Sequence, residues 1–125
     1  MDYIVAAFSM LALDSIYLSS IGGSLFSKMV RNIQKEDMKI DMYGVIGSYI
    51  LLVLVLYKFI IMERRSPSDA FILGLCVYGV FDFTNLAIFK NYKWIPAIVD
   101  TLWGGILFYI VTYITYKILS IKYYL

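Results

Sequence analysis

Residues 79–94 read GVFDFTNLAIFKNYKW, an apolar run that places Asp82 three residues before Asn85 and ends among lysines and aromatics. If that run crosses a bilayer, a carboxylate near its centre costs about 2.5–3.5 kcal/mol and needs a reason to be there. The rest of the chain says that it does cross. Over 125 residues, 62% are hydrophobic and the mean hydropathy is +0.78, well beyond what a soluble core of that size requires. Four apolar stretches, 3–26, 40–62, 69–89 and 95–118, each supply the ~20 residues that a hydrocarbon core demands. They predict a single all-α domain spanning 1–125, an integral membrane four-helix bundle of multi-pass topology with its N and C termini on the same side.

Between the stretches lie SKMVRNIQKEDMKID, ERRSPS and KNYK, where charge concentrates, and Pro67 and Pro96 fall where helix starts tolerate proline. Within the first connection, Met29 with Ile33 and Met38 with Met42 stand at i, i+4, the spacing of a short helix on the membrane surface. The amino-terminal run lacks a positively charged lead-in and carries Asp14, so it is expected to stay as a span. Trp94 and Tyr92 with Lys90 and Lys93, and Tyr123 and Tyr124 with Lys117 and Lys122, read as interfacial anchors. Lys and Arg divide five to six between the two sides, which leaves orientation open.

Several function classes drop out. With no histidine and Cys76 alone, a zinc, haem or iron–sulfur centre is not expected, nor is any other cofactor, and Cys76 reads as a small core filler. The basic residues flank spans, where lipid headgroups meet them, and form no aromatic-interleaved stripe; the lipid bilayer is the partner and nucleic acid is not. Because 125 residues enclose little volume, a homo-oligomer is one expectation.

Asp14, Asp82 and Asp100 lie within the spans, and no Lys or Arg lies near the middle of any span to neutralise them. Each acid is followed three residues later by a polar-capable side chain on the same helical face: Tyr17, Asn85 and Trp103. Tyr78, Asp82 and Asn85 form a stripe in the third span, while Gly79, Gly104 and Gly105 would admit a neighbouring backbone. The second span carries no acid and reads as lipid-facing scaffold, with Gly44, Gly47 and Ser48 as a small-residue packing patch. At ~1.5 Å of rise per residue, all three acids sit toward the side bearing the first and third connections. Three ionised carboxylates at ~6 Å separations would repel by ~2.8 kcal/mol per pair at an effective dielectric of ~20. The group is therefore expected to hold protons, hydrogen-bond donors or a small cation.

The segments ALDSIYLS, YGVFDFTNLA and VDTLWGG together make the chain resemble an uncharacterised family of small four-helix membrane proteins found in bacteria and large DNA viruses. That family carries an Asp-x-x-aromatic pair in its first helix, a Tyr-Asp-Leu-Thr-Asn-like run in its third and Asp-x-x-Trp-Gly in its fourth. The resemblance points to Asp14, Asp82, Thr84, Asn85, Asp100, Trp103 and Gly104. The chain departs from it at Tyr17, where Trp is commoner, and at Phe81, where a Tyr would precede the Asp.

Two readings remain. Asp14, Asp82 and Asp100 form an ion-binding or proton-relay site in a pocket with Tyr17, Tyr78, Thr84, Asn85, Thr101 and Trp103, serving proton or cation transport. Alternatively, the acids are structural and hydrogen-bond across helices to fix the bundle's register, although such contacts average only ~0.6 kcal/mol in membranes. An intramembrane enzyme with two acids sharing a proton is the weakest reading, because no Gly-x-Gly-Asp segment accompanies YGVFD, and no catalytic residue is assigned.

Overall fold

The structure, a computed structural model, describes residues 1–123, so Tyr124 lies outside it. It is all-helical: α1 (Asp2–Ser20), α2 (Gly22–Gln34), α3 (Met42–Leu56), α4 (Pro67–Ile88) and α5 (Trp94–Ile118). α3 runs on into a π-helical turn, Tyr57–Ile61. Four helices are long and apolar enough to cross a membrane: α1, α3 with its π turn, α4 and α5. Three of the four match the stretches read from hydropathy within two residues at each end.

The first span is the exception. The apolar run continues to Phe26, yet the spanning helix ends at Ser20 and a separate helix begins at Gly22. The Ser19 and Ser20 hydroxyls donate back to the Ile16 carbonyl at 3.1 and 2.7 Å, which competes with the helical ladder. Gly23 then allows the chain to fold against its own last turn, because a Cβ there would meet the Leu18 carbonyl. The surface helix expected between Ser27 and Met42 therefore starts earlier and ends at Gln34, where Lys35 adopts a left-handed conformation (φ 62°). Met29 is buried and Ile33 half-buried on one face, as their spacing implies, whereas Met38 is exposed in the connection and Met42 opens α3.

Caps place the other starts. The Asp41 carboxylate accepts from the Tyr43 amide at 2.9 Å at the head of α3. Ser66 accepts from the Asp69 amide at 3.1 Å, with Pro67 in the first turn of α4.

α4 and α5 form the most closely packed pair, and glycines permit it. A Cβ on Gly74 would overlap the Gly104 carbonyl and Phe108, one on Gly104 would overlap the Tyr78 ring, and one on Gly79 would lie 3.2 Å from Thr101 Cγ2. Leu107, Phe108 and Val111 of α5 are fully buried against Ala6 and Met10 of α1 and Leu56 of α3. At the far end Tyr116 donates to the carbonyls of Ile60 and Arg65, at 3.2 and 2.7 Å, and so fastens α5 to the α3–α4 connection. α3 is held more loosely, chiefly by α1. Gly44 and Gly47, expected to pack against a neighbour, have open space around them because α3 stands off there. Cys76, expected in the core, is exposed on α4.

Candidate functional site

α1 and α5 exchange donors. Asp14 on α1 is 7% exposed, and its Oδ1 accepts from the indole Nε1 of Trp103 on α5 at 2.9 Å. In return the Tyr17 hydroxyl on α1 donates to Asp100 Oδ1 on α5 at 3.2 Å. The Tyr17 and Trp103 rings stack at 4.7 Å with 6° between their planes. Each helix carries the same four-residue pattern, Asp14-Ser-Ile-Tyr17 and Asp100-Thr-Leu-Trp103. Antiparallel helices set position i of one against i+3 of the other, so each aromatic reaches across the interface instead of folding onto its own acid. The i, i+3 spacing alone places each donor beside its own carboxylate; the register of the pair crosses them.

Asp14 gains a second donor from an unexpected helix. Its Oδ2 accepts from the Tyr49 hydroxyl of α3, the span read as scaffold alone. Both oxygens of Asp14 are thus occupied by protein donors.

Asp82 differs. It is fully buried, and its Oδ1 accepts from the Tyr92 hydroxyl at 2.9 Å, while its Oδ2 has no partner. The Asp100 carboxyl lies beside it, near enough for a hydrogen bond once one of the two carries a proton, and Thr101 flanks them. Tyr92, expected as an interfacial anchor, turns inward because Asn91 takes a left-handed conformation (φ 71°) and reverses the chain between α4 and α5. Burial, and then the bond donated to Asp82, push the Tyr92 phenol above its ordinary range, so it remains a donor at neutral pH. α2 covers this end: Phe26 meets the Tyr92 ring edge-on at 6.4 Å, the Lys93 amide donates to Met29 Sδ at 3.2 Å, and a Cβ on Gly22 would overlap the Tyr17 ring.

The three acids therefore stand in a line, Asp82 beside Asp100, and Asp100 joined to Asp14 through the stacked Tyr17 and Trp103. Among the described residues, no group of three His, Cys, Asp or Glu could hold a metal ion, and the ion pairs, Arg31–Asp37 at 2.7 Å and Arg65–Asp69 at 3.2 Å among them, involve none of the three acids. Of the other sequence candidates, Asn85 is half-buried next to Tyr92, and the Thr101 hydroxyl donates to the Ala97 carbonyl at 2.8 Å. Tyr78 packs edge-on against Phe108 at 6.4 Å. Thr84 is exposed on α4 and is not brought to the acids. Tyr49 and Tyr92 were missed. The signal for Tyr49 was a lone hydroxyl-bearing ring in the aliphatic run from Val45 to Leu56; nothing in the sequence separates Tyr92 from an anchor.

The gap left by α3 is a cleft of about 1230 Å³. Asp14, Asp100, Tyr17, Tyr49 and Tyr78 line it, Lys39 and Asp41 line it too, and its remaining walls are largely aliphatic.

Comparison with known proteins adds one finding. The family described as "Predicted membrane protein (DUF2177)" matches residues 1–117, and the chain belongs to it. No curated protein and no solved structure matches the chain.

Proposed function

We propose that this member of the DUF2177 family handles protons within the membrane, with Asp82 and Asp100 as a proton-sharing pair and Asp14 as the fixed point that holds α1, α3 and α5 around it. The carrying observation is the fully buried Asp82 Oδ2, which has no donor among the described residues, on a carboxyl with a second carboxyl, Asp100, beside it. Two adjacent carboxylates without a cation between them repel, and a single shared proton removes the repulsion while satisfying the orphaned oxygen. A proton suits this pair better than a coordinated metal, which takes more oxygens than two carboxyls with their donors present. Tyr92 is the gate toward the α2 side, since its hydroxyl donates to Asp82 and its ring meets Phe26 edge-on. In this reading the four crossings put both termini on one side of the membrane.

The test is proton flux into liposomes loaded with a pH-sensitive dye, run beside a cation-sensitive dye. Asp82→Asn and Asp100→Asn should each lower proton flux at least about a hundredfold, the lower end of what one positioned proton-transfer group contributes, with little change in thermal midpoint. Wild-type flux in both variants would end the proposal.

A second reading rests on the Asp14 contacts. An acid that accepts from Trp103 and Tyr49 on two other helices is well suited to fixing bundle register. If wild type carries no proton or cation flux and every acid variant loses thermal stability alike, the network is structural throughout.

A further inference from the structure

The cleft beside α3 is far larger than a proton path needs. Its volume of about 1230 Å³ exceeds the ~300–1,000 Å³ typical of sites for drug-sized molecules. Its walls, from Leu52 and Val55 of α3 to Val77 and Phe81 of α4, are largely apolar; Asp14 and Asp100 line it as acids, and Lys39 stands in the lining beside Asp41. Beside Asp14 and Asp100 the lining is aromatic: Tyr17, held by its stacking on Trp103, then Tyr49 and Tyr78. No Lys or Arg side chain among the described residues pairs with Asp100, Asp14 or Asp82. Asp82, outside the cleft lining but beside Asp100, keeps a buried oxygen with no partner among the described residues. An apolar body with a cationic head fits such a shape: the hydrocarbon fills the aliphatic walls and the charge sits between Asp100 and the rings, where carboxylate attraction and cation–π contact act together.

We infer that the cleft between α3 and α4 binds a lipophilic organic cation whose charged head is received by Asp100. The inference rests on the proton-pair reading, because a cation at Asp100 displaces the proton shared with Asp82, and uptake of one is then coupled to release of the other.

The experiment is equilibrium binding of tetraphenylphosphonium and of tetraphenylborate, ions of the same shape and opposite charge, to the purified full chain in detergent, with released protons followed by a pH indicator. Saturable binding of the phosphonium but not the borate is expected, with a proton released on binding. Asp100→Asn should weaken it at least about tenfold, the loss of one charged contact. Ser48→Trp, at an exposed α3 position on the cleft wall, should block the phosphonium while leaving proton flux in liposomes intact. Equal binding of both ions, or phosphonium binding indifferent to both Asp100→Asn and Ser48→Trp, overturns the inference. Proton flux that depends on Asp82 and Asp100 with no phosphonium binding sinks the cleft assignment and leaves the proton pair standing; phosphonium binding without proton release separates the two in the other direction and removes the coupling.

Discussion

Asp14 and Asp82 are the same residue, each buried on a spanning helix of the same bundle, and their surroundings differ in donors and in the neighbouring carboxyl. Asp14 receives Trp103 and Tyr49, one on each oxygen, from two other helices. Asp82 receives Tyr92 on one oxygen, its second oxygen is buried with no partner among the described residues, and Asp100 stands beside the group. A satisfied buried acid is a joint; an unsatisfied one beside a like group is a place where a proton has to sit. Burial alone does not distinguish them, since both are almost entirely covered.

The contrast is sharpest when the two acids are truncated. Asp14→Ala orphans the Trp103 indole and the Tyr49 hydroxyl; an unpaired group costs about 1–3 kcal/mol when fully buried, and because both are half-buried the two together should cost about 2–4 kcal/mol of stability. Asp82→Ala removes an acid that already lacks one partner and should unfold the protein less easily while abolishing flux. Thermal midpoints and flux per folded molecule, measured on both variants, should therefore rank them in opposite orders; the same order on both scales would erase the distinction.

Glycines give a second contrast, between the tight and loose sides of the bundle. Gly104→Val drives a side chain into the Tyr78 ring and should cost about 1–3 kcal/mol, as overpacking does. Gly44→Val meets open space and should leave the thermal midpoint within error in the monomer. A large loss at Gly44 instead would reveal a second copy packed on α3.

Smaller effects test the tethers. Tyr49→Phe deletes one interhelical hydrogen bond, about 0.6 kcal/mol on average in a membrane, and should show mainly as a wider α1–α3 distance distribution between spin labels. Tyr92→Phe should be milder still in stability at neutral pH. Because folding raises the Tyr92 phenol, its contribution is complete below about pH 10 and fades as pH climbs above it, when the unfolded phenol ionises and the folded one does not. An alkaline stability titration should fall less steeply in Tyr92→Phe than in wild type; parallel curves would show that Tyr92 is not buried against Asp82.

Most of the fold was legible because length and hydropathy state it directly: four runs near 20 residues, with charge collected between them. The three acids were legible for the same reason, as exceptions inside those runs. Their partners were not. Which donor meets which acid depends on the stagger of α1 against α5, a tertiary quantity, and Asp14-Ser-Ile-Tyr17 and Asp100-Thr-Leu-Trp103 look self-contained until the helices are laid antiparallel. The break at Ser20 escaped a hydropathy reading because Ile21, Leu25 and Phe26 keep the run apolar, while the cause lies in Ser hydroxyls and in Gly23. Gly44 and Gly47 misled because small residues imply a close neighbour, and α3 has none there within the chain. Cys76 misled because in a bilayer an exposed side chain meets lipid, so a small apolar residue has no need of the core.

The central claim is that Asp82 and Asp100 share one proton, and infrared spectroscopy of the protein in lipid at neutral pH tests it most directly through the carbonyl stretch of protonated carboxyl groups. The account predicts such a band in wild type, lost in both Asp82→Asn and Asp100→Asn and kept in Asp14→Asn. Its absence from wild type, or its loss only when Asp14 is replaced, would contradict it.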